Sequence, residues 1–279
     1  MADGIAIVRG GHRTLFKWHR ARKQAGDLPF TGERIIEGLR LGASVEVDLV
    51  KHADGGFAVL HDFSLDRDTT GTGPVAAAPA ATLRQLVLRD GEGRPTSHQV
   101  MLLEDLCALL ADNTAFAPDG IVQLDLKEEA DGAIGPREIE GFSRAVGPVA
   151  AHFILSGGSA ENVERLAAAV PGLAAGFDPC SKEAMAELER TRDFSAFVAG
   201  AVAAAPGAKM IYLEYRLVLA AVDAGFDLIA AFHAADRRID AYTLKVADET
   251  TRGIAERLLS LKVDQITTDD PVGLERLLG

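Results

Sequence analysis

The sequence has little cysteine, no long apolar run and a shortage of positive charge, and each absence excludes something. Two cysteines, Cys107 and Cys180, make no disulfide framework. They fit a thiol-reducing compartment, and the expected location is the cytoplasm. No stretch of about eighteen apolar residues occurs, so no transmembrane segment is expected. The run Met1–Val8 lacks the basic and long apolar regions of a secretory signal and reads as an immediate strand. Lys and Arg number 29 against 41 Asp and Glu, a net charge of −12. That balance excludes a nucleic-acid partner, whose affinity comes from neutralising phosphates. A small phosphate ester stays admissible if a metal supplies local positive charge. There is no Gly-x-Gly-x-x-Gly after the first strand, no P-loop, no zinc-ligand spacing and no solenoid period.

What is present is an ordinary globular composition, 48% hydrophobic and 25% charged over 279 residues. Short β-like runs alternate with helical ones. Strands are expected at Ile5–Val8, Ser44–Val50, Phe57–Leu60, Ile121–Leu126, Phe153–Leu155, Leu173–Phe177, Met210–Leu213, Ile239–Leu244 and Gln265–Thr268. Helices are expected at 31–41, where Thr31 caps and Gly42 stops, and at 83–88, 102–110, 137–146, 160–169, 181–203, 225–235, 249–260 and 271–278. The pattern breaks at about 62–100, which reads as an excursion from one domain spanning 1–279. About eight strands alternating with helices call for parallel sheet. A closed (β/α)8 barrel and an open doubly wound sheet both fit.

In a barrel the reactive side chains sit at the carboxyl ends of strands. Glu46 and Asp48 are two apart, so both face the same side of their strand. Asp125 and Lys127 repeat that spacing. Three carboxylates without thiolates suit a hard divalent cation, Mg²⁺ ahead of Ca²⁺. The bland alternative is a set of strand-end acids paired with loop arginines. His12-Arg13 and His61-Asp62 each follow an extended run, and two histidines beside a metal and a phosphate suit acid–base work. The basic stretch Lys17–Lys23 reads as a solvated surface segment, with a substrate-attracting loop as the alternative. The turn Thr70–Gly73 reads as a plain turn rather than a phosphate cradle. Cys107, among Leu103, Leu106 and Leu110, reads as core.

Several runs together resemble the glycerophosphodiester phosphodiesterase family. They are Gly11-His12-Arg13, Val45-Glu46-Val47-Asp48, Val59-Leu60-His61-Asp62, the segment Leu65–Gly73, and Leu103-Glu104-Asp105-Leu106. Weaker echoes are Ile154-Leu155-Ser156, Ala241–Leu244 and Ile266–Pro271. The resemblance implies a TIM-type (β/α)8 barrel with a small insertion after the second strand region. It implies metal-dependent hydrolysis of glycerophosphodiesters to an alcohol and glycerol 3-phosphate. Carried over by position, His12 and His61 match the catalytic histidines, with His12 as base and His61 as acid by analogy. Glu46, Asp48 and Asp125 match the metal ligands, and Arg13, Lys127 and Tyr242 match phosphate- or substrate-binding positions. The departures are Thr14 for a Gly after His-Arg, Phe30-Thr31 within a Pro-Glu-Asn-Thr segment, Asp125 for Glu, Tyr242 for Trp, and a long interval from His12 to Pro29. Asp125-Leu126-Lys127 is similar to the sphingomyelinase D relatives. That leaves two rivals: a phospholipase D-like lyase forming a cyclic phosphate from lysophospholipids, and a non-catalytic phosphate-binding barrel.

Overall fold

A computed structural model of the chain describes residues 2–128 and 133–279; Met1 of the N-terminal run lies outside them. The chain opens with a hairpin. Strand β1 (Ala6–Arg9) runs antiparallel to β2 (His12–Trp18), with Arg9 opposite His12. The connection is Gly10-Gly11, at φ 55° and 79°. Two successive left-handed residues make the tight turn whose twist matches a hairpin, and glycine adopts that conformation without steric cost.

Strand β2 is the first strand of the barrel, and it pairs in parallel with β3 (Ser44–Lys51). A short β4 (Phe57–Val59) folds back antiparallel on β3. Residues 62–100 then form the expected excursion. It contains a helix at Ala80–Leu83 and a hairpin of β5 (Val87–Arg89) and β6 (Pro95–Gln99). The helix expected at 83–88 is displaced, because Pro79 at the cap starts it early and Leu88 goes to a strand. Leu65, Val75, Leu83, Leu88 and Val100 pack with Val50, Ala58 and Leu60 in a satellite cluster of their own.

The barrel continues through β7 (Ile121–Leu126), β8 (Phe153–Gly157), β9 (Ala174–Phe177), β10 (Met210–Glu214), β11 (Arg238–Leu244) and β12 (Gln265–Thr268). Neighbours pair in parallel, and β12 lies beside β2 with Thr267 opposite Lys17. The pairing of β2 with both β12 and β3 closes eight parallel strands into a TIM-type barrel and excludes the open sheet.

The apolar core lies mainly between the barrel and its ring of helices. Trp18, Ile35, Leu39, Val45, Val47, Leu124 and Leu155 belong to one half, and Phe16, Ile211, Leu213, Val218, Phe232 and Ile266 to the other. The helix Gly32–Leu41 starts at Thr31 and stops at Gly42, φ 82°. Its Gly38 lets it lie close to the barrel, since a Cβ there would stand 2.5 Å from Val45 and 3.3 Å from Trp18. The single helix expected at 181–203 is two, Lys182–Thr191 and Phe194–Ala204, broken at Arg192 with φ 56°. Residues 215–236, nearly apolar throughout, also form two helices, Tyr215–Asp223 and Leu228–Ala234. Among the described residues no single helix is long and apolar enough to cross a membrane.

Candidate active site

Parallel strands carry their carboxyl ends to one mouth, and β3 and β7 deliver the acids to it. Asp48 lies opposite Asp125 in the pairing of these strands, and Glu46 sits two residues back on the same face. One oxygen from each of Glu46, Asp48 and Asp125 can be chosen so that all lie within 4.8 Å of one another. Glu46 and Asp48 are buried, Asp48 completely. Lys127 stands among them. Its Nζ is 2.9 Å from Asp48 Oδ1, and it also pairs with Asp125 Oδ2. Burial opposes charge on Lys127, but Asp125, Asp48 and Glu46 outweigh it and raise its pKa.

The strain in this cluster falls on Asp48. Burial, with Glu46 beside it, pushes its carboxyl up to about 7. Its charge is met by the Lys127 ammonium, 2.9 Å from Oδ1, and more distantly by Arg20 Nε, 3.5 Å from Oδ2. Crowded buried carboxylates are costly unless enough positive charge meets them. The donor set is all oxygen, and its three acids outnumber the one ammonium among them, so a hard divalent ion fits these residues. Asp125 is more settled. Burial works against its charge, but Lys127 and the Ser156 hydroxyl, which donates to Oδ1 at 2.8 Å, hold its pKa low.

The structure corrects the first histidine. His12 begins β2 and Trp18 ends it, so six residues at about 3.3 Å each put His12 roughly 20 Å from the mouth along the strand. At that far end His12 Nε2 contacts the Val263 carbonyl, 3.0 Å away. Arg13 is exposed and bridges to Asp119 at 2.9 Å. Both residues lie away from the carboxylates because the Gly10-Gly11 turn reverses the chain. The strand that seems to end at His12 is a hairpin arm, and the barrel strand begins there.

The residues that follow the true strand end are His19 and Arg20. His19 Nδ1 faces Asp269, just beyond β12. Burial lowers its pKa, against the opposing pull of Asp269. The Arg20 backbone N–H donates to Glu46 Oε2 at 2.6 Å, and its Nε lies 3.5 Å from Asp48 Oδ2 with no hydrogen-bond acceptor of its own. Arg20, Ala21 and Phe30 all have positive φ, which folds the 19–30 loop tightly over this edge of the mouth. Phe30, in the altered Pro-Glu-Asn-Thr segment, is buried and donates its N–H to the Arg20 carbonyl at 2.9 Å. The signal for His19-Arg20 was present in the sequence: a second His-Arg pair, at the end of the run that follows Gly-Gly, which also shortens the long interval to Pro29.

His61 is at the mouth. It follows β4, and its positive charge when protonated is felt by Asp48. Its Nδ1 faces Asp62 Oδ1 at 2.7 Å, and Arg67 holds the same oxygen at 2.8 Å. The Thr70–Gly73 turn spends amides internally, on Val87, Thr69 and Asp66. Across the mouth, Tyr242 OH donates to Asp178 Oδ2 at 2.7 Å, and burial raises Asp178 to about 6. Asp178 also lines an apolar groove of about 440 Å³ with Phe177, Leu188, Phe197 and Ala201. Lys17 and Lys23 are not a solvated face. Lys17 is 2% exposed inside the barrel, and Lys23 pairs with Glu37 at 2.7 Å.

The glycerophosphoryl diester phosphodiesterase family matches the chain over residues 31–272. No curated protein matches it. Among solved structures, a candidate glycerophosphoryl diester phosphodiesterase from Agrobacterium tumefaciens is 23% identical with a TM-score of 0.69, covering 95% of this chain and 97% of that one. One from Silicibacter pomeroyi is 21% identical with a TM-score of 0.69, covering 95% and 93%. An Oleispira antarctica phosphodiesterase, in complex with the product sn-glycerol-3-phosphate, is 17% identical with a TM-score of 0.64, covering 94% and 96%. The family match begins beyond both His12 and His19, so the choice between them rests on the barrel geometry.

Proposed function

Because the chain belongs to the glycerophosphoryl diester phosphodiesterase family, we propose that it is a metal-dependent enzyme that hydrolyses glycerophosphodiesters to an alcohol and sn-glycerol 3-phosphate, with His19 and His61 as the proton-transfer pair. Membership makes it a phosphoric diester hydrolase. The observation that carries the finer reading is Asp48, fully buried in a cluster with Glu46 and Asp125 in which three carboxylates share the one ammonium of Lys127.

Glu46, Asp48 and Asp125 would hold the cation, which when bound offsets charge on a phosphate oxygen. Lys127 and Arg20 supply donors to the phosphate; the Arg20 fork has an Nε to offer there. His19 is the base. Its lowered pKa keeps it neutral near pH 7, and Asp269 on Nδ1 orients the ring so that Nε2 receives the proton of the attacking water. His61 gives a proton to the departing alkoxide, its ring oriented by Asp62. Tyr242, anchored by Asp178, bounds the far side of the substrate pocket.

One observation favours a second reading. The apolar groove beside Asp178 suits a substrate with an acyl chain, as in lysophospholipid cleavage with formation of a cyclic phosphate. Phosphorus NMR separates the two. Glycerophosphocholine with Mg²⁺ should yield glycerol 3-phosphate, and chelator should stop it. A cyclic phosphate from lysophosphatidylcholine would select the lyase, and no metal-dependent product from either substrate would reject both.

A further inference from the structure

Beneath the carboxylates the barrel interior is polar. Such interiors are ordinarily filled by Val, Ile and Leu. Here Lys17 (β2), Gln123 (β7), Asp240 (β11) and Gln265 and Thr267 (β12) point inward, each at most 4% exposed. Lys17 Nζ lies 3.2 Å from Asp240 Oδ2 and 4.4 Å from the centroid of the Tyr212 ring. Thr267 Oγ1 donates to Asp240 Oδ1 at 2.6 Å, and Gln265 Nε2 donates to Oδ2. A buried ion pair is expensive to assemble, and in this one Asp240 already balances the charge of Lys17.

Lys17 nevertheless makes a second contact, and that contact leads to the active site. Its ammonium donates to Gln123 Oε1. Gln123 Nε2 donates to Ser156 Oγ at 2.7 Å, and Ser156 Oγ donates to Asp125 Oδ1 at 2.8 Å. The order of this chain is fixed by its ends. An ammonium only donates and a carboxylate only accepts. A flipped Gln123 amide would set its NH₂ against the ammonium. With Oε1 committed to Lys17, Nε2 must face Ser156, whose single hydroxyl hydrogen is left for Asp125.

We propose that Lys17 is a positioning residue for the metal site, acting through Gln123 and Ser156 to hold Asp125 in its ligating orientation. The chain commits Asp125 Oδ1 to Ser156 and sets the rotamer in which Oδ2 is presented beside Asp48. Outer partners of ligating groups characteristically set metal affinity by 10–100-fold. The inference rests on the reading that Glu46, Asp48 and Asp125 hold a cation.

The test is a double-mutant cycle on Mn²⁺ affinity, measured by titration calorimetry on the full chain, with thermal unfolding recorded alongside. Lys17→Met and Ser156→Ala should each weaken Mn²⁺ binding about tenfold or more. The double variant should bind no more weakly than the worse single one, because both cut one chain. Should Lys17→Met fail to fold, Gln123→Leu takes its place, since it keeps the Lys17–Asp240 pair. Unchanged affinity in Ser156→Ala, or losses that simply add, would overturn the positioning role even if Tm falls. A wild-type protein that binds no Mn²⁺ would overturn the cation reading itself, and this inference with it.

Discussion

At the scale of single residues, the two His-Arg pairs make opposite predictions. His19→Ala should lower kcat by about 10²-fold or more if it is the base, whereas His12→Ala should leave turnover close to wild type. Steady-state kinetics on glycerophosphocholine decides between them, and a silent His19→Ala would remove the proposed base. Asp48 carries a second prediction. Its carboxyl must be ionised to meet a cation, and it ionises only near pH 7. Mg²⁺ affinity should therefore rise with pH up to about 7 and then flatten, losing up to tenfold per unit below that point. In the cation-free protein the sign reverses. A carboxyl raised above its ordinary value of 3.8 contributes stability that is fully present below that pH and lost as pH rises through about 7. Calorimetric titration across pH 6–8 checks the first statement and urea unfolding with chelator the second. The acids were legible in the sequence because strand period two puts Glu46 with Asp48, and Asp125 with Lys127, on one face. Lys17 was not, because a basic run looks solvated until the strand through it is placed in the barrel.

At the scale of elements, the β1–β2 hairpin decides where the first barrel strand starts. Gly11→Ala meets no neighbouring atom but must hold φ 79°. It should cost about 1–2 kcal/mol of stability while kcat stays near wild type, because the turn lies at the end of the barrel remote from the mouth. Urea unfolding and kinetics on one preparation test both halves. Gly38 makes the contrasting case. A Cβ 2.5 Å from Val45 would push the helix Gly32–Leu41 off β3, so Gly38→Ala should cost about 1–3 kcal/mol and also disturb Glu46 on the same strand. The boundaries that the sequence showed well are those with local signals: Gly42 after its helix, and Ile121–Leu126, where Val122, Leu124 and Leu126 alternate with Gln123 and Asp125. The breaks it hid lack such signals. Arg192 ends a helix in a left-handed conformation without glycine, and β2 begins at a polar His-Arg-Thr run that masks its inward and outward alternation.

For the whole molecule, the order of strands and helices was readable from their alternation, while closure into a barrel was legible only through the family resemblance. Alternation also fits an open sheet, and only the pairing of β12 with β2 distinguishes them. A cation at the mouth should stabilise the entire fold. At a hundred times its dissociation constant it adds about 2.7 kcal/mol, a Tm rise of roughly 5–10 °C for a chain of this size. Asp48→Asn should abolish that rise and, by relieving the buried carboxyl, raise the Tm measured in chelator. Scanning calorimetry reads all of this. The same closure bears on synthesis. Strand β12 sits between β2, from the beginning of the chain, and β11. Until Gln265–Thr268 leave the ribosome, the nascent chain is a seven-stranded sheet with two raw edges, already carrying Glu46, Asp48 and Asp125. Those edges are open to pairing with other chains, so a nascent protein stalled short of β12 would be a client for chaperones rather than a slow enzyme.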